Sequence, residues 1–226
     1  MKFSIITLFP EMFLGVLNTS ILKRAQESGK LTFELINLRD FGIGKHKTVD
    51  DKPYGGGVGM VLKVDVMHQA IQKVKSENPN TFVILTDPKG VPFTQELAEK
   101  LSEKKHLTIL SGHYEGHDKR IENYVDQIIS MGDFILTGGE IPAMAILDSV
   151  SRLIPGVLGK DISSQNESFS DENGKRILEH DQYTRPEIYD GVGVPKELLS
   201  GNHKFISEER KKNAVKNTKH NRPDLI

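Results

Sequence analysis

The chain has 226 residues, of which 37% are hydrophobic and 27% charged, a balance typical of a globular protein. Its 30 lysine and arginine residues nearly offset its 31 acidic residues, so a nucleic-acid partner would have to be held by a local basic patch. The absence of cysteine excludes disulfides, thiol nucleophiles, cysteine-based zinc sites and iron–sulfur clusters held by cysteine, and with them radical chemistry built on such a cluster.

The length predicts one domain of ordinary size and a smaller second one. The sequence contains no apolar run near the length of a membrane span, and its start lacks a small-residue cleavage site. We therefore expect neither a membrane partner nor a secretory signal, and a cytoplasmic location.

The first 150 residues alternate short apolar runs with amphipathic segments, a pattern typical of an α/β fold with a largely parallel sheet. Pro10 is expected to open the first helix, Ser20 to cap the second and Gly29 to end it. Strands are predicted over 3–9, 31–38, 81–86, 107–111, 125–129 and 134–136. Further helices are predicted over 65–76 and 94–104, around 119–124, and from Glu140 to about Arg152.

A long loop over 39–62 separates the second predicted strand from the next helix. It is too rich in glycine for regular structure, and its length favours a functional role. The run Gly55 to Gly59 precedes no helix and no GK[ST] sequence, so a phosphate cradle is poorly supported. A flexible loop that carries Asp50, Asp51 and Tyr54 toward a substrate is the better interpretation.

The polar segment 160–176 interrupts the alternating pattern and is interpreted as a linker between a domain over 1–159 and a small helical domain over 177–226. Helices are predicted there over 195–199 and 207–217. Two basic patches stand out, one over 45–52 and one over 210–222. A charge run is most often a solvated helix face, and nucleic-acid contact is the alternative.

Three glycine-bearing loops each follow a predicted strand, namely DPKG, SGHYEG and TGGE. The carboxyl ends of parallel strands meet at one edge of a sheet, where ligands bind, so the three loops are expected to converge there. Gly138 and Gly139 would let backbone groups approach a flat ligand without an intervening Cβ. None of the loops is a GxGxxG fingerprint or a phosphate loop.

His113 and His117 have the spacing of two metal ligands on a helix, but Gly112 and Gly116 argue against a helix there. They are interpreted as loop histidines, and no metal site is predicted from spacing. No GxSxG sequence supports a serine triad.

Several motifs follow one another along the chain: LFPEMF, VDDKPYGGGVGMVLK, SGHYEGHDKRI, SMGDFILTGGEIPAM, RLIPGVLG, ESFSD, QYTRPE, LLSGNH and RPDLI. In this order and spacing, from Ile6 to Ile226, they closely resemble the bacterial tRNA (guanine-N1)-methyltransferase family, TrmD. The resemblance implies a SPOUT fold whose sheet carries a deep trefoil knot, an exception to the rule that chains do not thread their own loops. It also implies a homodimer that binds S-adenosylmethionine in the knot. The activity implied is methylation of N1 of the guanine on the 3′ side of the tRNA anticodon, guanine 37, when another guanine precedes it.

The resemblance also implies a set of cofactor-binding residues, and that Glu115 faces the methyl donor or a magnesium ion. The implied set is Leu85, Thr86, Pro88, Gly112, Tyr114, Glu115, Gly116, Ser130, Met131, Gly132, Asp133, Phe134, Ile135, Leu136, Gly138, Gly139 and Pro142.

N1 of guanine must lose a proton to become nucleophilic, so the site needs a carboxylate base and a cation near O6. The family uses a linker aspartate and the arginine before IPGVLG; Arg152 matches the arginine, and Glu167 stands at the aspartate position. Glutamate has the same chemistry but reaches about 1.5 Å further. Glu167 is the expected base, contributed from one subunit to cofactor held by the other, and Asp171 is the substitute candidate.

Two smaller departures are Ser111, where the family often has cysteine, and a few extra residues between Ser170 and Leu178. Two alternative functions remain open at this point. One is a non-catalytic RNA-binding module of the same fold, and the other is a nucleotide-binding enzyme that uses the loop from Gly55 to Gly59.

Overall fold

The computed structural model describes residues 1–159, 167–172 and 174–226. The chain divides into two compact units, Met1–Gly159 and Lys160–Ile226. Within the described residues, no helix is long and apolar enough to cross a membrane.

A five-stranded sheet with strand order β2-β1-β6-β5-β7 forms the centre of the first unit, and all of its pairings are parallel. This confirms the α/β class and the parallel sheet. The strands are β1 (Lys2–Thr7), β2 (Thr32–Asn37), β5 (Phe82–Pro92), β6 (His106–Ser111) and β7 (Gln127–Ser130). Two further short strands, β3 (Asp50–Asp51) and β4 (Val61–Leu62), pair antiparallel with each other.

Four of the five α-helices of the first unit lie between its strands and the fifth follows β7, and short 3-10 helices extend several of the connections. The helices are α1 (Leu14–Leu17), α2 (Ser20–Glu27), α3 (Val64–Glu77), α4 (Gln95–Ser102) and α5 (Glu140–Ser151). The 3-10 helices are Pro10–Phe13, Leu38–Phe41 and Lys119–Tyr124.

Successive residues of β5 bury their side chains on opposite faces of the sheet. Ile84 packs in one core cluster with α1, α2, α4 and α5. Val83 and Leu85 pack in a second cluster with α3. Since side chains alternate across a strand, an apolar run of this kind requires cover on both faces. The sheet therefore lies between two helical layers.

Two strand predictions were wrong at the edge of the sheet that carries the glycine loops. Phe134–Leu136 is irregular and exposed rather than a strand, because its apolar side chains face a cleft and not the core. β5 does not end at Thr86 but resumes after a bulge over 87–90, and both Thr86 and Val91 pair with Ile129. The DPKG loop therefore lies between two parts of β5 that both pair with β7.

Other boundaries of helices and loops also differ from those predicted from the sequence. The loop over 39–62 was predicted to lack regular structure, but it contains the two-stranded β3–β4 ribbon. Thr19 and not Ser20 is the N-cap of α2; Ser20 is the first helical residue and has a positive φ of 50°. Gly29 follows the helix with φ 70°, as its predicted role at the helix end requires.

In its described residues, 167–172 and 174–226, the second unit combines two small ribbons with two α-helices. Its elements are β8 (Ser170–Glu172), β9 (Lys175–Ile177), β10 (Ile188–Tyr189), β11 (Val192–Gly193), α6 (Lys196–Leu199), α7 (His203–Asn221) and a final 3-10 helix, Pro223–Leu225. β8 and β9 pair antiparallel within the segment interpreted as a linker. Thr218 in α7 accepts a hydrogen bond from the Leu178 amide at 2.9 Å, and this contact fixes the helix against the chain after β9.

Helix α7 begins about one turn earlier than the sequence predicted. The side-chain oxygen of Asn202 accepts hydrogen bonds from the amides of Lys204 and Phe205, at 3.0 and 3.5 Å. Asparagine is among the best N-cap residues because its side chain satisfies amides that the first turn leaves without partners. A helix that began at Ser207 would have Glu208 and Glu209 in its first turn, whereas in α7 both lie beyond the first turn.

We expect Asn202→Ala to destabilise the start of α7 by about 1 kcal/mol, because the two capping bonds are lost. Amide hydrogen exchange of residues 203–206 in the full chain would measure this as faster exchange. Ser207→Ala, an exposed substitution inside the same helix, is the control and should leave exchange unchanged or slower. If the amides of residues 203–206 exchanged no faster in Asn202→Ala than in Ser207→Ala, the cap would not stabilise the helix end.

Candidate active site

The three glycine loops meet at the carboxyl edge of the sheet through one compact junction. The Gly139 amide donates a hydrogen bond to the Gly112 carbonyl at 2.6 Å. The Thr86 hydroxyl lies between them, accepting from the Gly112 amide at 3.3 Å and lying 3.4 Å from the Gly139 carbonyl oxygen. Thr86 is buried, and the junction joins β5, β6 and the chain entering α5.

Gly139 is required at this junction because of space and not because of backbone conformation. Its φ is −82°, which any residue adopts. A Cβ at this position would lie 2.1 Å from the Thr86 Oγ1 and 2.5 Å from the Gly112 nitrogen, closer than any real Cβ contact. The adjacent Gly138 is likewise confined, since its Cβ would lie 2.4 Å from Glu140 Oε2 and 2.6 Å from His113 Nδ1.

Glu140, the first residue of α5, is a buried carboxylate with partners on two sides. It accepts a hydrogen bond from Thr7 Oγ1 at 2.9 Å, and its other oxygen lies 3.6 Å from His113 Nδ1. Thr7 ends β1, which lies next to the central strand β6, so this bond ties the start of α5 to the sheet. Buried carboxylates are tolerated only with such partners.

The loop over 112–118 is tightly folded. Tyr114 has a positive φ of 59°, uncommon for a residue with a side chain, and Gly116 has φ 124°. The loop is anchored on β4 and the residue before it, because the Glu115 amide donates to the Met60 carbonyl and the Leu62 amide donates to the Gly116 carbonyl, both at 3.0 Å. Backbone strain of this kind clusters at functional sites.

Asp118 fixes the end of the same loop. The hydrogen bonds from the Arg120 guanidinium, at 2.9 and 2.6 Å, lower the pKa of Asp118 to about 2. Its carboxylate also accepts from the Arg120 amide at 2.9 Å and so caps the 3-10 helix Lys119–Tyr124. The loop therefore ends at a carboxylate, that of Asp118, which is ionised throughout the neutral pH range.

These loops enclose a cleft of about 370 Å³, within the range of ligand pockets. Fifteen of the seventeen predicted cofactor residues line it. The exceptions are Leu85, which is buried in the core beneath α3, and Asp133, which is exposed outside the lining. The residues that do line it are Thr86, Pro88, Gly112, Tyr114, Glu115, Gly116, Ser130, Met131, Gly132, Phe134, Ile135, Leu136, Gly138, Gly139 and Pro142.

Sequence reasoning missed five residues of the lining, namely Asp87, Lys89, His113, Ile129 and Thr137. Four of them lie inside the three motifs that it had singled out or next to one. The signal was therefore present, but a turn residue and a residue facing a ligand look the same in sequence.

The glycine-rich loop over 55–59 lies beside this cleft. Gly59 has φ 87°, and a Cβ there would lie 2.3 Å from Glu115 Cγ, so the loop packs directly on a lining residue. Tyr54 is fully exposed, whereas Asp51 in β3 lies 3.5 Å from Lys63 Nζ. The loop leads into β4 and not into a helix, so it forms no phosphate cradle at a helix N-terminus.

The two predicted catalytic residues lie in different units. Arg152 is the C-cap of α5, and its amide donates to the Asp148 carbonyl at 3.1 Å. Glu167 is half-buried in the second unit, and its carbonyl accepts from the Ser170 amide. The side chain of Asp171 lies outside the described residues. Among the side chains that are described, no group of three or more carboxylates and histidines could hold a metal ion.

The fold and the cleft define an α/β protein with a pocket where strand-end loops of a parallel sheet converge, the place at which such sheets bind ligands. A family model described as tRNA (guanine-1)-methyltransferase TrmD matches residues 1–226, and the chain belongs to this family.

Bacterial relatives named tRNA (guanine-N(1)-)-methyltransferase agree with this assignment. The protein of Carboxydothermus hydrogenoformans is 52% identical over 227 residues, covering 100% of this chain and 87% of the relative. That of Staphylococcus epidermidis RP62A is 52% identical over 227 residues, covering 100% and 91%. That of Anoxybacillus flavithermus is 51% identical over 228 residues, also covering 100% and 91%.

We expect Gly139→Ala to weaken ligand binding in the cleft and to destabilise the first unit by about 1–3 kcal/mol, the usual cost of overpacking. Thermal denaturation and calorimetric titration with S-adenosylmethionine would measure the two effects. Gly15→Ala is the matched control, because Gly15 is exposed and a Cβ added there would have no heavy atom within 4 Å. If both variants behaved like the unaltered protein, the junction would not control the cleft.

Proposed function

We propose that this protein transfers a methyl group from S-adenosylmethionine to N1 of guanine 37 in tRNA whose preceding base is guanine. Membership of the family supports methylation of N1 of a tRNA guanine, since relatives over half identical across the whole chain are named tRNA (guanine-N(1)-)-methyltransferase. The observation that carries the proposal is the glycine junction, which opens a narrow cleft lined by main chain at the carboxyl edge of the sheet.

The cleft fits S-adenosylmethionine in shape and in chemistry. Its glycine walls leave room for a flat adenine, and the apolar side chains of Ile135, Leu136 and Pro142 offer contact surface for the ring and ribose. The cofactor carries no phosphate, and the cleft has no phosphate loop. When bound, the cofactor supplies an electrophilic methyl group on a sulfonium.

The residues of this chain supply binding and proton transfer. The backbone groups of Gly112 and Gly138 line the cleft and would orient the cofactor, and the Thr86 hydroxyl keeps their two loops at a fixed spacing. Glu167 would accept the proton from guanine N1. Arg152 would orient the base and stabilise the negative charge that develops on O6.

The larger assembly is also part of the proposal. A trefoil knot in the first unit is supported by the route of the chain after β7, which crosses the end of β5 to reach Gly112 at the end of β6. A homodimer would bring Glu167 of one subunit to cofactor held by the other.

The domain division proposed is 1–159 for the cofactor, 160–176 for the linker with the base, and 177–226 for tRNA. The activity would take place in the cytoplasm, where tRNA is found.

Magnesium receives no support as a second ligand. Glu115 lines the cleft, but within the described residues no further carboxylates or histidines gather around it in a metal-binding group. We therefore propose Glu115 as a residue that faces the methyl donor.

Labelled S-adenosylmethionine and two tRNA transcripts, with guanine or adenine at position 37, test the reaction. We expect transfer to the guanine transcript alone. Glu167→Gln should reduce kcat by at least about a hundredfold, the usual contribution of a general base. Glu208→Gln removes an exposed carboxylate of α7 and is the control.

The remaining outcomes separate the alternatives. Transfer that survives Glu167→Gln and is lost in Asp171→Asn would move the base to Asp171. Binding of cofactor and tRNA without any transfer would contradict the enzyme and support the non-catalytic RNA-binding module.

A second prediction concerns the basic tail over 210–222, which contains no acidic residue. If Lys216 and Lys219 contact tRNA phosphates, replacing both by alanine should reduce the slope of log affinity against log salt by about 2. Filter binding at several salt concentrations would measure the slope. Lys100→Ala on α4 is the control, and an unchanged slope in the double variant would assign the tail to a solvated helix face.

A further inference from the structure

His117 lies between two carboxylates that belong to different elements of the first unit. Its Nδ1 is 3.4 Å from Asp87 Oδ2, and its Nε2 is 3.5 Å from Glu122 Oε1. The imidazole is 4% exposed and the Asp87 side chain 9% exposed, so water screens their contact little.

Each carboxylate also has a second role in its own segment. The other oxygen of Asp87 accepts the Lys89 amide at 2.7 Å and so shapes the bulge over 87–90, which lines the cleft. The other oxygen of Glu122 pairs with the exposed Lys119 ammonium on the 3-10 helix Lys119–Tyr124. His117 itself follows Gly116 and forms a parallel bridge with Leu62 of β4.

The geometry points to His117 as a positioning residue of the cleft, which sets the spacing between the bulge over 87–90 and the loop over 112–116 by joining Asp87 to Glu122. These two segments form facing parts of the lining. The inference rests on the proposed function, because it takes S-adenosylmethionine as the ligand of the cleft. His117 does not itself line the cleft and so acts through Asp87.

The Nδ1 contact is suited to tighten when the cleft is filled. At 3.4 Å it is longer than a good N–H···O hydrogen bond, and Nδ1 has no hydrogen-bond partner among the described residues. A small movement of the bulge toward the ring, with the carboxylate turned to face the N–H, would form the bond, and catalytic-site bonds commonly tighten in this way on ligand binding. Ligand binding and the bridge therefore reinforce each other.

Calorimetric titration of the full chain with S-adenosylmethionine tests the bridge. His117→Leu keeps the bulk of the side chain and removes both nitrogens, and should raise the Kd about tenfold, the effect of losing one charge-assisted hydrogen bond. His117→Gln, whose amide can restore one contact, should recover part of the affinity. Glu122→Gln should weaken binding in the same direction although Glu122 does not line the cleft, whereas Lys119→Ala should leave the Kd unchanged.

Steady-state kinetics separate positioning from a general loss of structure. The bridge predicts a raised KM for S-adenosylmethionine, with kcat and the KM for tRNA within about twofold of the unaltered protein. A Kd within twofold in both His117→Leu and Glu122→Gln would overturn the inference. The inference would also be overturned if kcat fell and the KM values for S-adenosylmethionine and tRNA both rose in proportion to a fall in Tm. If the unaltered protein did not bind S-adenosylmethionine, the proposed function would fail and the bridge with it.

Discussion

The contact between Gly139 and Gly112 is the constraint on which the rest of the site depends. A 2.6 Å hydrogen bond joins two main-chain groups that are far apart in sequence, and the buried Thr86 hydroxyl occupies the space beside them. A side chain at Gly139 would fill the space where these groups meet. Because these bonds lie within the protein, they hold the three loops together without help from a ligand, which lowers the entropic cost of ordering them on binding.

The buried carboxylate of Glu140 extends this constraint into the body of the protein. Its bond to Thr7 links the first turn of α5 to the end of β1, and its second oxygen lies 3.6 Å from His113 Nδ1 on the loop that follows β6. Removing one partner of a buried polar group costs more than the bond itself contributes, since the other partner is left without solvation. The first turn of α5 is therefore held in the position that Gly139 requires.

Much of this could be predicted from sequence, and the errors have physical causes. Strand-end glycines correctly identified the three converging loops, because glycine after an apolar run indicates close backbone approach. Phe134–Leu136 was wrongly predicted as a strand, because an apolar run that faces a cleft has the same composition as one that faces a core. The start of α7 was misplaced because acidic residues suggested a first turn, whereas the capping bonds of Asn202 set it.

Long-range partners could not be predicted at all from one sequence. Nothing near Thr7 indicates Glu140, 133 residues away, and nothing near Asp87 indicates His117 as its partner. The same limit applies to the bulge in β5, since only the pairing of both Thr86 and Val91 with Ile129 reveals it.

The walls formed by Gly112, Gly138 and Gly139 have a consequence for inhibition and resistance. A compound that hydrogen-bonds to the main chain of these residues would recognise atoms that every amino acid shares, so substitution cannot remove them. The usual route of escape is to add a side chain that blocks the compound, and a clash with the backbone of Gly112 closes this route at Gly139. Such a compound would face fewer viable escape mutations than one that relies on the exposed side chains of Phe134 or Ile135.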